Sequence, residues 1–162
     1  MSMRHQVQFR GFTLIELVVT LTIVSILATA LIPLGQWSVK RQQEADLRIA
    51  LREIRTAIDA YKKAVEEGKI IVTAEETGYP PNLEVLAKGV PDASSEKKRM
   101  IRFLRRLPRD PMFPDQHAPA QETWGKRSYE SAPDSLQAGA DVFDVYSLST
   151  ASGLNGIAYR EW

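Results

Sequence analysis

Arg10-Gly11-Phe12-Thr13-Leu14-Ile15-Glu16-Leu17 decides how the rest of this chain is read. Ahead of it lies a short leader whose fixed charges are Arg4 and Arg10. Behind Gly11 an apolar run covers residues 12–39 and carries one charged side chain, Glu16. A helix of about 20 apolar residues crosses a hydrocarbon core, so this run is long enough to cross and emerge. Glu16 is the anomaly. A carboxylate inside a bilayer costs about 2.5–3.5 kcal/mol on insertion scales, and such a residue is read as functional by default. Something must offset that cost.

Gly11-Phe12-Thr13-Leu14-Ile15-Glu16 resembles the class III leader and cleavage junction of type IV pilins and type II secretion pseudopilins. Glycine, aromatic, apolar and acidic positions all fall in register ahead of the long apolar run. The resemblance implies that a prepilin peptidase cuts after Gly11 and methylates the new terminus, Phe12. It further implies that Glu16, fifth in the mature chain, pairs with the N-terminal amine of a neighbouring subunit as a filament grows. An ordinary secretory signal is cut after its apolar core. Here the cut precedes the core, which stays as an anchor. The bland alternative is an uncleaved signal anchor with no part in assembly. Arg4 and Arg10 favour a cytoplasmic N-terminus; Lys40 and Arg41 pull mildly the other way, and the leader match decides for N-terminus in, bulk of the chain out.

The 162 residues leave room for one modest domain beyond the apolar run. Removing residues 1–11 removes Arg4 and Arg10 and no acid, so 21 basic and 20 acidic side chains (+1) become 19 and 20 (−1). Near-neutrality gives no overall pull toward nucleic acid or anionic lipid. With no cysteine, no disulfide staples the fold and no thiol serves as nucleophile or metal ligand. Major type IV pilins commonly close a C-terminal loop with a disulfide, so its absence leans toward the pseudopilin branch.

Pro33 interrupts the apolar run, removing a backbone hydrogen bond and crowding the preceding turn. It reads either as the family's site of local helix melting or as a tolerated kink in a membrane helix. Past the run, Leu47, Leu51, Ile54, Ile58, Tyr61 and Val65 recur at spacings of four and three, one apolar stripe on a helix. Gly68 suits the C-cap. A helix over residues 13–67 would run roughly 80 Å at 1.5 Å per residue. Its stripe is too short for a free-standing coiled coil, so the remaining chain must cover it. The organisation expected is a leader (1–11), a transmembrane or filament-core helix (12–39), a soluble amphipathic helix (40–67), a connection with short helices (68–108) and a small-sheet region (109–162).

Gly78-Tyr79-Pro80-Pro81-Asn82 is a turn cluster, and Asn82 suits the cap of a short helix over 83–88 that ends at Gly89. Ser94 or Ser95 is placed to cap a second helix over 97–107, with Met100, Leu104 and Leu107 on one face. Lys97, Lys98, Arg99, Arg102, Arg105, Arg106 and Arg109 form the densest basic cluster. It reads as a DNA or acidic-partner surface, or as a solvated face with acids nearby. The second reading is preferred, and no aromatic residue interleaves on the basic side to stack bases.

Leu107-Pro108-Arg109-Asp110-Pro111, Trp124-Gly125, residues 143–148 and Trp162 are similar to the C-terminal half of major pseudopilins, with residues 112–123 as an insertion. The two prolines place a turn at Arg109-Asp110. Strands are expected over 126–131, 142–148 and 157–161. The fold class is therefore α+β: a long N-terminal helix packed on a small C-terminal antiparallel sheet, pilin-like. Major pseudopilins often bind calcium in the loop that follows. Residues 148–156 hold no carboxylate, and calcium needs six to eight oxygens, so no calcium and no other cofactor is expected. His5 lies in the leader and His117 stands alone, and no catalytic motif is present.

The reading that results is a non-enzymatic subunit of a type II secretion pseudopilus. It would be a single-pass protein of the bacterial inner membrane with a periplasmic C-terminal domain, polymerised to drive protein export. Its partners would be copies of itself, other pseudopilins, prepilin peptidase, the inner-membrane assembly platform and the membrane. Alternatives are a type IV pilin forming a surface fibre for adhesion or motility, and a DNA-binding pilin-like module using the basic cluster.

Overall fold

A computed structural model describes residues 11–162 except 98, 133 and 134, with the side chains of 30–36 also left out. The fold is α+β, one long helix followed by short elements and small antiparallel sheets. Helix α1 runs Leu14–Glu66. The chain divides after Lys40 into two compact units.

In the first unit, Thr13 starts the helix. Its hydroxyl accepts the Glu16 N–H at 3.3 Å, and its carbonyl accepts the Leu17 N–H. That satisfies two donors a helix start leaves open. The hydroxyls of Thr20, Thr22, Ser25 and Thr29 donate to carbonyls one turn back. Each of these hydroxyls is thus satisfied within the helix, as an apolar surrounding demands. The apolar side chains point outward all round, Phe12 and Leu14 at 83% exposure. Among the described residues nothing in the first unit covers them.

The second unit is built on the α1 stripe. Leu47, Leu51, Ile54, Ile58 and Tyr61 are buried, with Ala50, Ala57 and Ala64 beside them. Ile70, Leu83, Leu86, Leu104, Trp124, Val142, Val145 and Tyr159 close the core over that face. Each fully buried large aliphatic side chain contributes about 1.5–3 kcal/mol. The helix ends as Gly68 (φ 71°) turns the chain and the Lys69 and Ile70 N–H groups both donate to the Ala64 carbonyl.

Helix α2 (Glu84–Lys88) follows, with Asn82 Oδ1 accepting the Val85 N–H at 3.1 Å. Gly89 ends it at φ 88°, and a Cβ there would lie 2.6 Å from the Ile101 carbonyl oxygen. Only glycine meets both demands. The close strand is β2 (Met100–Ile101), antiparallel to β1 (Val90–Pro91).

This corrects the helix expected over 97–107. Met100 and Arg102 are exposed while Ile101 and Phe103 are half-buried, an alternation of strand period. The Phe103 and Leu104 N–H groups donate to the Leu86 carbonyl rather than to their own preceding turn. The tertiary acceptor displaces the local one.

The second sheet pairs β3 (Trp124–Arg127) with β4 (Asp144–Ser147), in register from Trp124↔Ser147 to Arg127↔Asp144. Gly125 lies under the Tyr146 ring, in space a Cβ would occupy. The strand expected over 157–161 is instead one bridge, Ser152↔Ala158, and a 3₁₀ turn, Tyr159–Glu161. Gly156 (φ 81°) folds the segment back so that Gly153 N–H donates to Ile157 and Tyr159 N–H to Ala151. The residues expected to extend the sheet are spent closing this small loop.

Candidate maturation and assembly site

Residues 11–13 precede the helix without regular structure, and all three are exposed. The Gly11–Phe12 bond therefore sits on exposed chain without regular structure at the threshold of α1, the kind of segment a peptidase can grip. A Cβ at Gly11 would meet no described atom within 4 Å. The fold makes no demand for glycine here.

Glu16 sits in the first turn of α1, where exposed N–H groups favour negative charge. Its backbone is fully engaged, N–H to Thr13 and carbonyl to Thr20. No described residue offers its carboxylate a cationic partner. Pro33 falls among residues 30–36, outside the described side chains, and the leader residues 1–10 also lie outside the description. Among the described residues no helix is long and apolar enough to cross a membrane.

Residues 8–32 match the family model of the prokaryotic N-terminal methylation motif. That is a type IV pilin-like signal, the mark of a prepilin-peptidase substrate. The motif implies prepilin-peptidase processing and filament assembly, and points to membrane anchoring. No curated protein and no solved structure matches the chain. The matched stretch joins residues 8–11, the Gly11–Phe12 junction and the first three-quarters of the apolar run, so the type IV pilin-like signal and the exposed apolar side chains coincide.

Among the described residues three carboxylates in the second unit are buried; of these the sequence reading named only Asp110, and that as part of a turn. Glu44 is 4% exposed; its Oε1 accepts the Leu154 N–H at 2.7 Å and the Tyr159 hydroxyl at 3.0 Å. This clasp ties the C-terminal loop to α1. Burial and the bond to Glu44 push the Tyr159 hydroxyl up to about 12. The signal was present: Glu44 lies three residues before Leu47, in line with the apolar stripe.

Asp110 accepts from Ser147 Oγ at 2.6 Å and Met112 N–H at 2.7 Å, joining the Asp-Pro turn to β4. Burial raises its pKa against the pull of those bonds. Burial also works to raise Asp141, but donors from Thr77, Ser128 and the Tyr129 N–H outweigh it and hold the carboxyl low. These groups are structural connectors.

The insertion at 112–123 is held from within. The Arg109 guanidinium donates to the carbonyls of Asp115 and Ala118, and the Thr123 hydroxyl accepts the Asp110 N–H and donates to Ala120. Arg109 thereby leaves the basic cluster for a loop-closing role. Arg55 does similar work, donating to Asp144 Oδ1 at 2.8 Å and to the Val145 and Trp162 carbonyls. Among the described residues no set of three or more His, Asp or Glu side chains is placed to hold a metal ion.

Proposed function

We propose that this chain is a structural subunit of a type II secretion pseudopilus, cut after Gly11, methylated at Phe12 and polymerised in the periplasm to drive protein export. The observation that carries the maturation step is the indifference of the fold to Gly11, on exposed chain directly before the helix. A glycine the fold does not need is a glycine a processing enzyme needs, because a peptidase subsite without room for Cβ selects for it. The motif match over residues 8–32 supports the same step.

In this reading the exposed apolar side chains of residues 12–29 are covered by lipid before assembly and by sister helices after it. Residues 12–39 form the single pass through the inner membrane, and the second unit lies in the periplasm. The Glu16 carboxylate takes the new Phe12 amine of an adjacent copy, so each addition removes a buried charge that would otherwise stay unpaired. Other pseudopilins and the inner-membrane assembly platform complete the partners. The lack of cysteine favours this branch over a surface pilus.

The loop 148–156 works without calcium in this reading. It brings no carboxylate of its own; Glu44, which reaches it, is spent on Leu154 and Tyr159, and Asp110, which meets Leu148, is spent on Ser147 and Met112. Asn155 Oδ1 is likewise spent on the Ile157 N–H.

The test is Gly11→Leu in the full-length chain, expressed with its peptidase. Intact-mass measurement should find the uncut precursor, folded and anchored. Normal cleavage and methylation at Phe12 in that variant would refute the proposed junction.

A further inference from the structure

Two features of the second unit fit each other yet lie at different places on it. The first is a groove of about 530 Å³ between α1 and the chain just past β2. Ala57, Ala60, Phe103 and Leu104 give it an apolar floor, and Arg52, Arg105 and one acid, Glu53, also line it. The alanines keep the helix surface low, which is what leaves the groove open.

The second feature is the turn after α1. Ile71 is 84% exposed there, as bare as any large apolar side chain in the protein, and Glu75 and Glu76 stand exposed a few residues on. Ile71, Glu75 and Glu76 line one rim of a common cleft, so the three share a surface.

The ion pairs of the second unit use Arg55, Lys62, Lys63, Lys69, Lys88 and Arg127. Arg52, Arg102 and Arg105 enter none of them among the described residues, and neither does Glu75 or Glu76. Glu53 lines the same groove and enters none of them either, so the groove sets two arginines against one acid and stays net positive.

We infer that Ile71 of one copy seats in the groove between α1 and Phe103-Leu104-Arg105 of a second copy, with Glu75 and Glu76 facing its arginine edge. The occupant follows from charge and shape together: a protruding apolar side chain flanked by acids meets an apolar floor flanked by arginines. Knob and groove are different patches, so the contact is heterologous. Each copy that fills a groove presents its own, and such contacts propagate into open helical assemblies rather than closing into dimers. The inference rests on the filament reading and gives it a contact between second units, separate from the Glu16 region.

The chain has no cysteine, so introduced thiols report cleanly. Ile71→Cys and Ala60→Cys would be placed together in the full-length chain, assembled with its machinery and mildly oxidised. The expected result is a ladder of covalent multimers on denaturing gels, absent from either single variant. Arg105→Glu should weaken the ladder several-fold, and adding Glu75→Arg should restore it.

Fibres without the ladder would overturn the contact and leave the filament reading standing. A covalent dimer that never extends would overturn its head-to-tail character. Failure of the unmodified chain to assemble with working machinery would overturn both. Retention of the unmodified chain on DNA, lost in Arg105→Glu and coupled with an absent ladder, would assign the arginine edge to nucleic acid and overturn the inference.

Discussion

Tyr159→Phe isolates the clasp between the C-terminal loop and α1. The substitution keeps the ring and deletes the hydroxyl that Glu44 accepts at 3.0 Å, leaving Glu44 only the Leu154 N–H. Hydrogen bonds to charged groups contribute about 1.5–3 kcal/mol, so the variant should lose that much at pH 8. The pH dependence gives a second, independent handle. Tyr159 is 1% exposed and its pKa is raised from 10.0 to about 12.

A group whose folded pKa is raised gives stability that is whole below the unfolded pKa and lost as pH climbs to the folded one. At about 1.36 kcal/mol per unit, the loss approaches 2.7 kcal/mol between roughly pH 10 and 12. The advantage of the unsubstituted chain over Tyr159→Phe should therefore shrink across that window. The assay is urea unfolding of the mature full-length chain in detergent at pH 8, 10, 11 and 12, followed by tryptophan fluorescence. A gap between the two proteins that stays constant from pH 8 to pH 12 would refute the clasp.

Ile54→Ala, at a fully buried position of the α1 stripe, should cost about 2–5 kcal/mol and lower the thermal midpoint by several degrees, read by circular dichroism. For Asp110→Asn the sign follows from burial: the raised pKa means the native state favours the proton, so the carboxylate burdens the fold near neutrality and eases it in acid. The variant should match or exceed the unsubstituted chain at pH 7 and lose ground toward pH 4, measured as urea midpoints. Glu16→Leu should insert in membranes at least as well as the unsubstituted chain yet yield no fibres by electron microscopy; intact fibres would show the carboxylate to be dispensable.

Much of the fold was legible along the chain. The stripe from Leu47 to Tyr61 is a property of spacing, and spacing survives into the helix because α1 is local structure. Gly68, Gly89 and Asn82 mark the ends of helices by conformational preference alone, and all three sit at such ends. The Gly11–Phe12 stretch is legible for another reason: it lies in the methylation motif matched over residues 8–32, and that motif is a property of sequence rather than of tertiary contacts.

The failures share one cause. Residues 97–107 carry a helix-like run of charges, but their amides bond to the Leu86 carbonyl and to β1, acceptors that no window of sequence contains. Residues 157–161 have strand composition, but Tyr159 is drawn inward by Glu44, more than a hundred positions away. Glu44 itself stands in line with the stripe and could have been suspected; its partners could not.

Sequence alone therefore determined the long helix, its buried stripe and the α+β class, because each depends on neighbours three or four residues apart or on the preference of a single residue. Only the tertiary structure decided which acids are connectors, which arginines close loops, and which apolar side chain stands bare beside an open groove. Those outcomes depend on which distant donor meets which acceptor, and a buried polar group tolerates no other solution than being met.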